Sequence, residues 1–469
     1  FHALADPTGA AYLEQMTATV DNVTDPELLA QAWQRVVDRS DAMRVALEWR
    51  GVPEPVQVVR RAARVPVTHA DWSSLSAQEQ AERLGEVLAT DRTRGLDVRV
   101  APLMRLFLAR TDTTSVRLVW TFHHALLDGW STQLFFADVF AEYAELDERR
   151  PAAPGVPPSP ERTARDSSTG RESEDPARDQ VTRRGISRPR RPYRDYVRWL
   201  AARDRPAGLD FWRRDLAGFE EPVALPWDSA PSQAHRGHST DRVRVPLDPG
   251  VAAEATGFAR SHRITVNALV QAAWAWLLSL HAGTRDVVFG ATVSGRPADL
   301  PRADEILGLF INTLPVRITV DPSRPVSEWL RDLQSRQAEA RQYDYVALND
   351  IETDTPAGSA LFESLVVFEN YPVDGGTAVR HGLAIRDVAA IEATNYPLTV
   401  VAAATEETLA LDLAYDPALF RPATARRLAE QLGGLIRGLV RNPDELLGNV
   451  PLTDSAERAE LVSAWASPS

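Results

Sequence analysis

Phe122-His123-His124-Ala125-Leu126-Leu127-Asp128-Gly129-Trp130-Ser131 is the stretch that decides how this chain folds. Upstream of it, Val116, Leu118, Trp120 and Phe122 recur at every second position, which predicts a strand with one apolar face. Downstream, Leu134, Val139, Phe140 and Tyr143 recur at helical spacing and predict an amphipathic helix over residues 130–143. A strand therefore runs into two histidines, a short turn, Asp-Gly and a helix. Two-residue periodicity sets His123 and His124 on opposite sides of the strand, with His124 continuing the face of Trp120 and Phe122.

Histidine at a strand end suits acid–base work, because imidazole exchanges a proton near neutrality. Asp128 has two possible roles: fixing a histidine tautomer, or binding an arginine and holding the loop. Gly129 allows close backbone approach, and the helix N-terminus after it offers N–H groups to a developing oxyanion. The bland alternative for the histidine pair is a place in the core. A metal site needs three or four convergent ligands, and these two histidines diverge, so no metal is expected. His235 and His238 form a second pair, but their setting reads as a loop. Ser131 reads as a capping residue rather than a nucleophile, and no G-x-S-x-G elbow or G-x-G-x-x-G turn is present.

Composition narrows the chemistry. The chain has 469 residues, enough for two lobes of roughly 200 residues. It is 44% hydrophobic and 25% charged, the balance of a globular protein, and no apolar run is long enough to span a membrane. The start, Phe1-His2-Ala3-Leu4-Ala5-Asp6, has neither the pattern of a signal peptide nor an initiator Met, so a piece of a longer polypeptide is expected. Cysteine is absent, which excludes disulfides and thiol nucleophiles. Lysine is absent too: all 52 basic residues are Arg, which excludes a Schiff-base or P-loop lysine. A net charge of −13 argues against a nucleic-acid partner.

Residues 147–192 are rich in Pro, Ser, Arg and Glu and poor in large apolar side chains, and read as a polar, mobile linker with a lobe boundary near 190. Helices are expected over 25–37, 77–88, 266–280, 326–343 and 422–441. Strands are expected over 45–49, 56–59, 103–109, 116–122, 286–293, 313–320, 365–369 and 398–403. Strands and helices alternate on both sides of the linker, so the fold class is α/β.

His123 to Ser131 resembles the His-His-x-x-x-Asp-Gly motif of nonribosomal peptide synthetase condensation domains, shared with the chloramphenicol acetyltransferase-like acyltransferases. Arg39-Ser40-Asp41-Ala42-Met43-Arg44 resembles the family's Arg-His-x-x-Leu-Arg motif, with Ser40 in place of the His. Tyr193-x-Asp195-Tyr196-x-x-Trp199, Ser294-Gly295-Arg296-Pro297 and Leu307-Gly308-Leu309-Phe310-Ile311-Asn312-Thr313-Leu314-Pro315-Val316-Arg317 follow in the family's order. Phe368-Glu369-Asn370-Tyr371-Pro372 and Asn395-Tyr396-Pro397-Leu398 also fit. The family's first motif, a Ser-x-x-Gln-x-Arg-like segment, is missing. The tail 451–465 resembles the linker towards an adenylation domain.

The resemblance implies two acyltransferase-like lobes, 1–146 and 193–447, in a V-shaped pseudo-dimer with an active-site tunnel between them, and an exit linker at 448–469. It implies amide formation between a donor thioester and an acceptor amine, with the L-configured donor subtype suggested by the 294–317 and 342–348 runs. Both substrates would ride on phosphopantetheine arms of upstream and downstream peptidyl carrier domains, so no cofactor of the chain's own is expected. A monomer in the cytoplasm, beside an adenylation domain and away from membranes, completes the picture. Of the site residues, His124 is expected to be the catalytic base, with His123, Asp128 and Gly129 beside it. Asp128 is expected to be held by Arg317 or Arg44, and Trp130, Ser131 and Asn312 to support the site. Alternatives within the family are an ester-forming domain, a fatty-acyl starter domain, an epimerisation domain and a catalytically silent recruitment domain.

Overall fold

A computed structural model describes residues 12–53, 55–149, 190–232, 235, 239–355, 360–369, 375–391, 394–405 and 408–451. The linker's residues 150–189, Asn370 to Pro372, His238 and the tail beyond 451 lie outside the described residues.

The chain begins with β1 (Leu13–Asp21), α1 (Pro26–Arg39), β2 (Val45–Glu48), β3 (Val56–Val59) and β4 (Val67–Asp71). It continues through α2 (Ala77–Arg94), β5 (Met104–Arg110), β6 (Ser115–His123) and α3 (Gly129–Glu148). Next come α4 (Arg194–Ala201), α5 (Arg205–Asp215), β7 (Asp241–Arg244), α6 (Pro249–His262), α7 (Val266–Ala282), β8 (Asp286–Val293) and β9 (Asn312–Thr319). Then follow α8 (Val326–Ala340), α9 (Leu348–Asp354), β10 (Ser364–Glu369), α10 (Gly375–Arg380) and β11 (Ala384–Ile391). Last are β12 (Leu398–Ala404), β13 (Leu409–Tyr415) and α11 (Pro422–Arg441). No single described helix is long and apolar enough to cross a membrane.

Two compact units result. The first gathers residues 1–193, 304–309 and 372–391, and the second holds the remainder. Contiguous lobes at 1–146 and 193–447 would leave the two later segments out of the first unit. Their reason for belonging is physical: β11 pairs antiparallel with β1, and 304–309 is hydrogen-bonded to α3.

The first unit's sheet has the order β11-β1-β6-β5-β4. Its apolar face is covered by α1 and α3. Asp25 caps α1 by accepting from the Glu27 N–H at 3.0 Å, and Pro26 sits where a missing N–H costs nothing. Leu29, Trp33, Val36 and Val37 then face inward together. Trp33 meets Trp120 edge-on at 5.3 Å, and Trp120 stacks on Phe122 at 4.1 Å and on Phe135 at 5.1 Å. Burying such side chains contributes roughly 1.5–3 kcal/mol each, which fixes the end of β6 where the histidines begin. The other face is polar. There Gln15 donates to the Leu88 carbonyl at 3.1 Å, and Arg105 and Thr121 both donate to Asp91 on α2.

The second unit's sheet has the order β7-β13-β12-β10-β8-β9, with β8, β10 and β12 mutually parallel. Parallel strands are buried on both faces. Accordingly α7 is buried from Ala268 to Leu278, and α8 and α11 pack in the same core.

Candidate active site

Backbone pairing carries β6 to its last residue. Leu13 on β1 stands opposite His123, and the next N–H, that of His124, donates to the Tyr12 carbonyl at 2.8 Å. The chain then turns, with the Leu126 N–H donating to the His123 carbonyl at 3.0 Å. His123 is 2% exposed, and its Nδ1 accepts the Ala125 N–H at 3.1 Å, which commits that nitrogen to holding the turn. The His124 side chain is 32% exposed. Its Nδ1 lies 2.9 Å from the Leu127 carbonyl oxygen. A carbonyl only accepts, so Nδ1 carries the hydrogen and the lone pair of the neutral ring is on Nε2. That nitrogen faces Glu14 Oε1 at 3.3 Å.

Asp128 is buried and ends the turn by capping α3. Its Oδ1 accepts the Ser131 N–H at 2.8 Å, and its own N–H donates to the Gly308 carbonyl at 3.3 Å. Ser131 completes the joint: its Oγ donates to the Gly308 carbonyl at 2.7 Å and accepts the Gly308 N–H at 3.1 Å. Trp130 Nε1 donates to the Asp304 carbonyl at 2.8 Å. The first turn of α3 thus anchors segment 304–309, and the Ser131 N–H is spent on the cap rather than offered to an oxyanion. Gly308 must be glycine here, because a Cβ would lie 2.1 Å from the Tyr193 ring. A pair of α3 acids, Asp138 and Glu142, is held by Arg190 and by Arg39 and Arg35.

Arg44 and Arg317, expected beside Asp128, are bonded elsewhere. Arg44 donates to the Asp41 carboxylate at 2.8 Å and to the carbonyls of Arg60 and Arg61. Arg317 lies in the second unit, where its guanidinium forks onto Asp286 at 2.9 and 2.7 Å and reaches the Asp215 and Ala217 carbonyls. Both cations tie their own loops and strands. Asn312, also in the second unit, donates to the Asp344 and Val346 carbonyls at 2.8 and 2.7 Å and so holds the turn after α8. Burial pushes the Asp344 carboxyl in that turn up to about 6. His235 bonds Asp416 at 2.8 Å, and no metal-binding cluster occurs among the described residues.

The first unit therefore brings together His123, His124, Asp128, Gly129, Trp130 and Ser131, whereas Arg317 and Asn312 belong to the second. Sequence reasoning missed Glu14 and the carbonyl of Leu127. The signal for Glu14 was hidden, because it is a carboxylate standing in line with Met16, Ala18 and Val20 on the apolar face of β1.

Asp128→Ala is expected to cost about 2–3 kcal/mol, combining a lost cap with a buried N–H left unpaired. Thermal unfolding should show a fall of roughly 5–10 °C, with Asp128→Asn recovering most of it because Asn caps as well. An unchanged melting temperature in Asp128→Ala would contradict the capping role.

The family model for the condensation domain matches residues 1–160 and 182–462. One of the linear gramicidin synthase proteins of Brevibacillus parabrevis is 38% identical over 473 residues, covering 99% of this chain and 6% of the relative. Surfactin synthase subunit 3 of Bacillus subtilis (strain 168) is 29% identical over 471 residues, covering 100% of this chain and 34% of the relative. The chain thus spans a small part of the relatives it matches. Among solved structures, the first condensation domain of the calcium-dependent antibiotic synthetase, in complex with a substrate analogue, aligns with a TM-score of 0.71 at 18% identity. That alignment covers 96% of each chain and shows the shared fold. This chain belongs to the condensation domain family of nonribosomal peptide synthetases.

Proposed function

We propose that His124 accepts the proton of an acceptor α-amine as that amine attacks the thioester carbonyl of a donor acyl group. The observation that carries this reading is the ring itself. It is part-exposed at the end of β6, is held through Nδ1 by the Leu127 carbonyl, and turns its basic nitrogen, Nε2, toward Glu14. An α-amine has a pKa near 7.7–8.0, so a useful fraction is already neutral, and the base need only receive a proton as the C–N bond forms. The Gly129 N–H is the proposed donor to the developing oxyanion. Asp128 and His123 have structural roles, shaping the turn that presents His124.

Donor and acceptor would ride on phosphopantetheine arms of upstream and downstream carrier domains, with an adenylation domain adjacent in a longer synthetase. The motif runs 294–317 and 342–348 support an L-configured donor residue. The test offers donor carriers loaded with matched L- and D-aminoacyl groups to a glycyl-loaded acceptor carrier, with a hydroxyacyl-loaded carrier as competitor. Faster amide formation from the L donor is expected. Preference for the D donor would contradict the subtype, and preference for the hydroxyacyl acceptor would make the domain ester-forming.

A further inference from the structure

We propose that Glu14 is the positioning residue of His124, stabilising the proton the ring takes from the attacking amine and holding the protonated ring opposite Leu127. This rests on the reading that His124 receives that proton. Glu14 pairs with Phe122 across the β1–β6 ladder, so His124 is its diagonal neighbour on one face of the sheet's end. Diagonal side chains in antiparallel pairs are within reach of long residues, and the contact closes at 3.3 Å. The Glu14 side chain is only 14% exposed, so its carboxylate is little screened by water.

Hydrogen-bond chemistry gives the contact a direction. With Nδ1–H committed to the Leu127 carbonyl, neutral Nε2 and an ionised carboxylate both present lone pairs to one another. The contact becomes attractive only when Nε2 is protonated. Glu14 therefore favours the form of His124 that arises during reaction, which is where an interaction accelerates chemistry. The amine nitrogen forms the C–N bond, the carbonyl becomes an alkoxide, and the ammonium proton passes to Nε2. The C–S bond then breaks, and the departing thiolate takes the proton back from the imidazolium. The same carboxylate also favours the resting protonated ring, so it sets the lower pH limit of activity.

The test uses the full chain and its Glu14→Gln and Glu14→Ala variants, with the donor–acceptor pair that turns over fastest in a panel of aminoacyl-loaded carrier proteins. In Glu14→Gln the maximal rate is expected to fall about 10-fold, and the acid limb of the pH–rate profile to move roughly one unit lower. A second arm needs no substrate. Histidine-labelled chain is titrated by NMR, with the His124 signal assigned by its loss in His124→Ala. Its midpoint should move down by the same interval in Glu14→Gln. A lower rate with the acid limb and the midpoint both unmoved, while His124→Ala is slowed at least about 10²-fold, would overturn the proposal alone. Full turnover by His124→Ala would overturn the catalytic reading and the proposal with it.

Discussion

His124→Ala is expected to fold as the parent does and to lose roughly 10²–10⁴-fold in the rate of amide formation, the range of a positioned general base. The ring is 32% exposed, and its polar contacts include the Leu127 carbonyl and Glu14. A ring this exposed is not part of the buried core, so the melting temperature should change by no more than about 2–4 °C, the equivalent of about 1 kcal/mol. The activity should not vanish. Tethering both reactants supplies up to roughly 7–11 kcal/mol through proximity, and this survives the substitution. His123→Ala should behave in the opposite way, since that ring is buried and holds the turn through Nδ1. Stopped reactions read by mass, beside thermal unfolding of each variant, separate the two roles. A His124→Ala chain that turns over at the parent rate would remove the catalytic assignment.

The largest expected loss of stability falls on Gly295→Ala. Gly295 has φ +59, and a Cβ there would sit 1.8 Å from the Phe310 carbonyl oxygen and 2.8 Å from its carbonyl carbon. The obstructing atoms are backbone, so no rotamer change relieves them. Arg296 adds to the constraint: it lies 4.0 Å over the Phe310 ring and donates to the Ala303 carbonyl at 2.6 Å. Left-handed strain costs about 1–2 kcal/mol and forced backbone displacement a further 1–3 kcal/mol. A fall of about 6–12 °C in melting temperature should result. Gly283→Ala is the control, because Gly283 has a similar φ of +67 and a Cβ added there would meet nothing within 4 Å. It should lose only the strain component. Equal losses in the two variants would show that the Phe310 backbone yields.

How legible this was in the sequence varies by element. β6, α3, α1 and α7 were readable because their apolar residues follow one period without interruption, as in Leu118, Trp120 and Phe122 or Leu29, Trp33 and Val36. β1 was not, because Glu14 interrupts its apolar face and the buried residues of its other face are polar, with partners on distant elements: Gln15 bonds the Leu88 carbonyl, and Thr19 bonds Asp387. β11, which carries Asp387 back to the first unit, was missed because its large apolar residues, Ile385, Val388 and Ile391, do not recur at every second position. The histidine pair and the Asp-Gly after it were visible as a local motif. Asp128 caps α3 through the Ser131 N–H, a role that a carboxylate at a helix start commonly takes, while Arg44 and Arg317 bind Asp41 and Asp286. The role of Gly308 could not be read locally either: its peptide serves an N-terminus 177 positions earlier in the chain.

The central claim is that this chain joins a donor acyl group to an acceptor amine at His124, and intact-mass spectrometry of the two carrier proteins tests it most directly. With loaded donor and acceptor carriers and the parent chain, the acceptor carrier should gain the mass of the donor acyl group while the donor carrier returns to its free-thiol mass. With His124→Ala, verified as folded, the acceptor should stay at its aminoacyl mass over the same interval. Transfer at the parent rate by His124→Ala, or no transfer by the parent chain from any aminoacyl donor to any acceptor in the panel, would contradict the account.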